Sequence, residues 1–61
     1  MRDVKVIESR SLKVVAHYTE NQYPEVFDDG ANFKVYANGT FSKEYPCSHY
    51  HYEINEKENE S

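Results

Sequence analysis

Apolar and polar residues alternate along this chain with a period of two, the spacing of a half-buried β-strand rather than of a helix. In "DVKVIE" Val4 and Val6 fall on one side and Lys5 on the other, while Ile7 breaks the alternation and predicts cover on both faces. "LKVVAHYT" aligns Leu12, Val14, Ala16 and Tyr18 against Lys13, Val15 and His17. The polar residues Glu8 to Ser11 between these runs predict an N-terminal hairpin.

The stretch "ENQYPEVFDDGAN" supports two readings. Pro24 could open a short helix that Gly30 closes. The favoured reading is a loop, then a short strand around Val26 and Phe27, then a turn through Asp29-Gly30, with at most one helical turn near 24–29. "FKVYANGTFSKEY" is a clearer signal, because Asn38-Gly39 supplies the two left-handed residues of a tight hairpin turn. Its register stays open. A two-residue turn sets Tyr36 opposite Phe41 and Val35 opposite Ser42, whereas a three-residue loop sets Val35 opposite Phe41. "CSHYHYEI" then alternates cleanly, and the polar residues from Asn55 onward are expected to form a flexible acidic tail.

These runs predict an all-β domain over residues 1–54. Five or six short strands would form a small antiparallel meander, with closure into an SH3-like barrel as one arrangement. A domain of 61 residues buries only about 60% of the surface its unfolded chain exposes, so the core must be small. The single cysteine, Cys47, rules out an internal disulfide. It also suits a reducing compartment, and with no apolar run of signal or membrane-spanning length a cytoplasmic location is expected.

Charge adds a direction. Seven basic and eleven acidic residues give a net charge of −4, which argues against duplex nucleic acid as a partner. Glu20, Glu25, Asp28 and Asp29 cluster without a base among them, whereas Arg2, Lys5, Arg10 and Lys13 occupy the first thirteen residues. The acidic stretch suits a protein partner with a basic surface. Six tyrosines and no tryptophan supply apolar area with a hydrogen-bonding tip. Tyr18, Tyr50 and Tyr52 align with the apolar side of their strands and should cover the core. Tyr23 and Tyr36, with Glu25, Asp28 and Asp29, are the expected partner-binding residues.

The densest chemistry lies in "PCSHYHYEI". On an uninterrupted strand Cys47, His49, His51 and Glu53 would share a face, and Cys47, His49 and His51 could ligate zinc with His17 as a fourth ligand. That set has one cluster where structural zinc sites usually draw on two separated ligand pairs, so no cofactor is the primary expectation. Gly30 and Gly39 both read as turns, and no phosphate loop or nucleophile elbow occurs. An enzyme is therefore not expected. In size and acidity the chain resembles a cold-shock domain, but it lacks that family's phenylalanine-rich RNA-binding runs. Its clustered bases also lie where aromatics are missing.

The leading expectation is a non-catalytic interaction module. It would act as a small acidic inhibitor or modulator of phage or bacterial accessory type. The alternatives are the metal-binding domain, a single-stranded nucleic-acid-binding barrel, and an edge-to-edge homodimer.

Overall fold

The computed structural model describes residues 2–56. Six antiparallel strands run in chain order: β1 (Arg2–Glu8), β2 (Lys13–Tyr18), β3 (Glu25–Asp28), β4 (Asn32–Ala37), β5 (Thr40–Pro46) and β6 (Tyr50–Glu56). They form two three-stranded sheets, ordered β2-β1-β6 and β3-β4-β5. The all-β expectation holds at the upper strand count, and among the described residues no strand pairing joins the two sheets into a closed barrel. Among the described residues the one helical turn is of 3-10 type and lies at Glu20–Gln22, ahead of the predicted place; residues Glu25–Asp28 are strand. β6 continues through Asn55 to Glu56, and the remainder of the expected 55–61 tail, residues 57–61, lies outside the described residues. Among the described residues no helix is long and apolar enough to cross a membrane.

The sheets pack inner face to inner face. Val6, Phe33, Val35 and Tyr45 form the buried cluster, with Ala16, Tyr18, Val26, Tyr50 and Tyr52 packed against it. Val4 and Ile7 are also buried, on opposite faces of β1. β1 is thus covered on both sides, as the broken alternation at Ile7 implies. Phe33 is the hub: its ring stacks on Tyr45 at 5.3 Å and leans on Tyr52 at 4.8 Å. The expected role of Tyr18, Tyr50 and Tyr52 is met. Their rings meet the core while two of their hydroxyls reach across to the other sheet, Tyr18 to Ser42 at 3.0 Å and Tyr52 to Asp28 at 3.1 Å. A half-buried tyrosine closes a thin core this way without orphaning a polar group.

Two one-residue irregularities set the faces. In β2 the pairing steps from Val6 opposite Ala16 to Ile7 opposite Val14, leaving Val15 as the extra residue. In β5 it steps from Tyr36 opposite Phe41 to Val35 opposite Lys43, leaving Ser42 extra. A bulge reverses which parity of residue faces inward. Leu12, Val14, Ala16 and Tyr18 therefore do not share a side: Ala16 and Tyr18 meet the core, and Leu12 and Val14 are exposed. The two-residue turn at Asn38-Gly39 is correct near the hairpin tip. The bulge overturns the accompanying pairing of Val35 with Ser42.

One buried carboxylate ties the layers together. Asp3 accepts the Glu20 backbone N–H at 3.0 Å and lies 3.3 Å from His17 Nε2. It thereby pins the 3-10 turn, where the chain crosses between sheets, to β1. That turn is fixed from the other side as well, since the Asn38 N–H donates to the Gln22 carbonyl at 2.7 Å.

Candidate functional site

Because Phe33 and Val35 point inward on β4, Asn32, Lys34 and Tyr36 point outward. Register carries this pattern to the neighbours. On β3, Glu25 lies opposite Tyr36 and Phe27 opposite Lys34, so both face out. On β5, Phe41 lies opposite Tyr36 and Glu44 opposite Lys34. The outer face of this sheet therefore carries an aromatic row across all three strands. Phe27 meets Tyr36 edge-on at 5.3 Å and Tyr36 meets Phe41 edge-on at 5.7 Å. Phe27 is 58% exposed and Phe41 52%. Such edge-to-face pairs hold one another rigidly, so the row presents apolar area with little left to order.

Tyr23 extends this surface. It is 74% exposed and caps the 3-10 turn in a left-handed conformation, with φ of 48°. The buried Pro24 follows it. An open cleft of about 420 Å³ beside Tyr23 is lined by Glu20, Pro24, Glu25, Arg2 and Glu56.

Of the five expected partner-binding residues, Tyr23, Glu25 and Tyr36 fall on or beside this face. Asp28 and Asp29 do other work. Asp28 lies opposite Phe33, on the inward parity. One of its oxygens accepts from the Gly30 N–H at 2.8 Å and from Cys47 Sγ at 3.7 Å, and the other accepts from the Tyr52 hydroxyl. Asp29 caps the turn, accepting from the N–H groups of Ala31 at 3.0 Å and Asn32 at 2.8 Å. Those two bonds hold its carboxyl below the usual range, so it stays ionised at the rim of the face. Phe27 and Phe41 are the exposed rings of this face that sequence reasoning missed. The signal for Phe41 was the Asn-Gly turn, which places it beside Tyr36; the bulge at Ser42 concealed that Tyr45, of the same parity, faces the core.

The cysteine and histidine run does not form one strand face. Residues 47–49 are a turn, closed by the His49 N–H donating to the Pro46 carbonyl at 3.1 Å, and β6 starts only at Tyr50. Cys47 points to Asp28, His49 Nδ1 sits 2.8 Å from the Ser48 hydroxyl, and His51 Nδ1 sits 3.0 Å from the Ser9 hydroxyl. His17 is engaged with Asp3. Among the described residues no three histidine, cysteine or acidic side chains gather so as to hold a metal ion. The shared-face geometry behind the Cys47, His49, His51 and His17 ligand set is corrected accordingly: Pro46 ends one strand and the chain turns before the next begins. Burial, reinforced by the Asp28 carboxylate, pushes the Cys47 thiol up, away from the thiolate a nucleophile or ligand requires. Burial and the same carboxylate also raise the Tyr52 hydroxyl.

Comparison with protein-family models, with curated proteins and with solved structures finds no match to this chain.

Proposed function

We propose that this chain is a non-catalytic protein-interaction module that binds a basic partner surface through the outer face of β3, β4 and β5. The observation that carries the reading is the solvent-open row Phe27–Tyr36–Phe41 on a sheet whose other face already makes the core. Buried aromatic anchors, tyrosine among them, commonly carry a large share of binding energy at interfaces. Glu25 and Glu44 lie within the face and Asp29 at its rim, against Lys34 alone, so the surface favours a cationic counterpart. Tyr23 and the Glu20–Glu25 cleft would take a lysine or arginine at the edge of the contact. A small acidic module of this design acts as an inhibitor or modulator in the cytoplasm, occupying a basic cleft that another acidic ligand would use.

The test is capture from host lysate with a tagged chain, comparing the native sequence with Phe27→Ala/Phe41→Ala. Both rings are exposed, so the variant keeps its circular dichroism spectrum. Loss of two anchors should weaken capture by at least about tenfold. Undiminished capture by a folded variant places the contact elsewhere. A labelled single-stranded oligonucleotide run in parallel examines the second use of exposed rings, base stacking. The surrounding carboxylates oppose it, and binding that falls steeply with salt would favour it.

A further inference from the structure

Large apolar side chains are about as numerous on the outside of this molecule as inside, and apart from Ile54 on β6 the exposed ones fall into two groups. Phe27 and Phe41 belong to the aromatic face, with Tyr23 beside them. Leu12, Val14 and Val15 belong to the β1–β2 hairpin, exposed by 71%, 53% and 49%. Leu12 also adopts φ of 61°, a left-handed conformation that a leucine takes at a cost. An exposed, strained leucine followed at positions 14 and 15 by two exposed valines is not explained by packing within the chain. Arg10 and Lys13 bracket it, and among the described residues neither forms an ion pair.

The two groups are complementary. The hairpin end is basic and aliphatic, Arg10-Ser11-Leu12-Lys13-Val14-Val15, with no acid in the run. The outer face of β3–β5 is acidic and aromatic. One chain cannot join them, because the hairpin belongs to the other sheet and the aromatic row points away from that sheet. We infer that the occupant of the aromatic face includes a second copy of this chain, whose Leu12, Val14 and Val15 seat on Phe27, Tyr36 and Phe41 while Arg10 and Lys13 meet Glu25 and Glu44. This rests on the reading of that face as an interaction surface and names one partner for it. The contact joins two different patches, so it is head-to-tail and each added copy leaves one of each patch open. A patch this small gives a weak, reversible and salt-sensitive association.

Sedimentation analysis of the pure chain from about 10 μM to about 1 mM, the range suited to a weak contact, tests it. Three proteins are compared: the native chain, Leu12→Ser, which keeps an intact aromatic face, and Phe27→Ser, which keeps an intact hairpin. The expected result is a native mass that rises with concentration and falls back in high salt, with each variant monomeric alone. Mixed in equal amounts, the variants should recover a species of two chains and no larger one, because each supplies the patch the other lacks. A native chain that stays monomeric throughout overturns the inference and leaves the capture experiment to judge the face by itself. Self-association that survives in Phe27→Ser, or a mixture that stays monomeric while the native chain associates, also overturns it.

Discussion

The β1–β2 and β4–β5 hairpins are built with the same devices and different materials. Each has a short turn, and each has a one-residue bulge in its second strand, at Val15 and at Ser42. In each, the bulge separates residues of equal parity. Phe41 faces out while Tyr45 faces the core, and Val14 faces out while Ala16 and Tyr18 meet the core. Without the shift at Ser42, Tyr45 would lie on the solvent side with Phe41, and Phe33 would lose its stacked partner. The turns differ. Asn38 and Gly39, with φ of 56° and 76°, are residues that adopt the left-handed region at low cost, whereas the first hairpin places Leu12 there. The contrast teaches that the bulges settle which apolar groups stay outside, while turn chemistry decides how much stability each hairpin gives up to hold its shape.

The strongest way to break the comparison is to remove what both hairpins share. Phe33 is fully buried and touches aromatic rings from both sheets. Phe33→Ala should cost about 3–5 kcal/mol. At roughly 0.05–0.15 kcal/mol per residue, a chain of 61 residues has a total of that same order. The variant should therefore be largely unfolded at 25 °C by circular dichroism. A cooperative urea transition near the native midpoint would mean that the sheets do not depend on one core. Next in size is a pair of turn substitutions with opposite signs. Gly39→Ala puts a side chain at φ of 76°, where the space is open but the backbone is strained, and should destabilise by about 1 kcal/mol. Leu12→Gly relieves that strain in the other turn, and should be neutral or stabilising by up to about 0.5 kcal/mol after the entropy of glycine is counted. Urea midpoints that move in the same direction for both variants would refute the difference drawn between the turns.

Much of this was legible in the residues. Period-two alternation found the strands, Asn38-Gly39 found the second turn, and the polar run at Glu8–Ser11 found the first. The bulges were not legible, because an extra residue in a strand has no compositional mark and only the facing strand defines it. That is why Val14 was placed with Ala16, and why the register of the Asn38-Gly39 hairpin stayed open. Asp3 was hidden for a related reason. An aspartate at the start of a strand reads as solvated until the 3-10 turn at Glu20, distant in sequence, offers it an N–H. The run at 47–54 misled because alternation continues through a turn as readily as along a strand. Pro46 was the only signal that the pattern broke at residues 47–49. Of the candidate face, Tyr23, Glu25 and Tyr36 were readable from exposure and charge, while the row that joins Tyr36 to Phe27 and Phe41 exists only through register.

The smallest predicted effect concerns the connection from β5 to β6, at the 47–49 turn. Here a thiol meets a carboxylate, Cys47 against Asp28. Burial contributes most to holding the thiol protonated, and the negative charge and hydrogen bond of Asp28 add to it. Only the thiolate attacks an alkylating agent, so at pH 8 Cys47 should react with iodoacetamide more slowly than a cysteine in a short peptide. Asp28→Asn removes the charge but keeps an oxygen that can accept from the Gly30 N–H. The thiolate then becomes easier to form, and alkylation at pH 8 should accelerate while the midpoint of its pH profile moves down. Burial remains, so the midpoint should stay above that of the peptide. If the rate is unchanged or falls in the folded variant, Asp28 does not govern the thiol, and its carboxylate would be left with the Tyr52 hydroxyl as the tie between the two sheets.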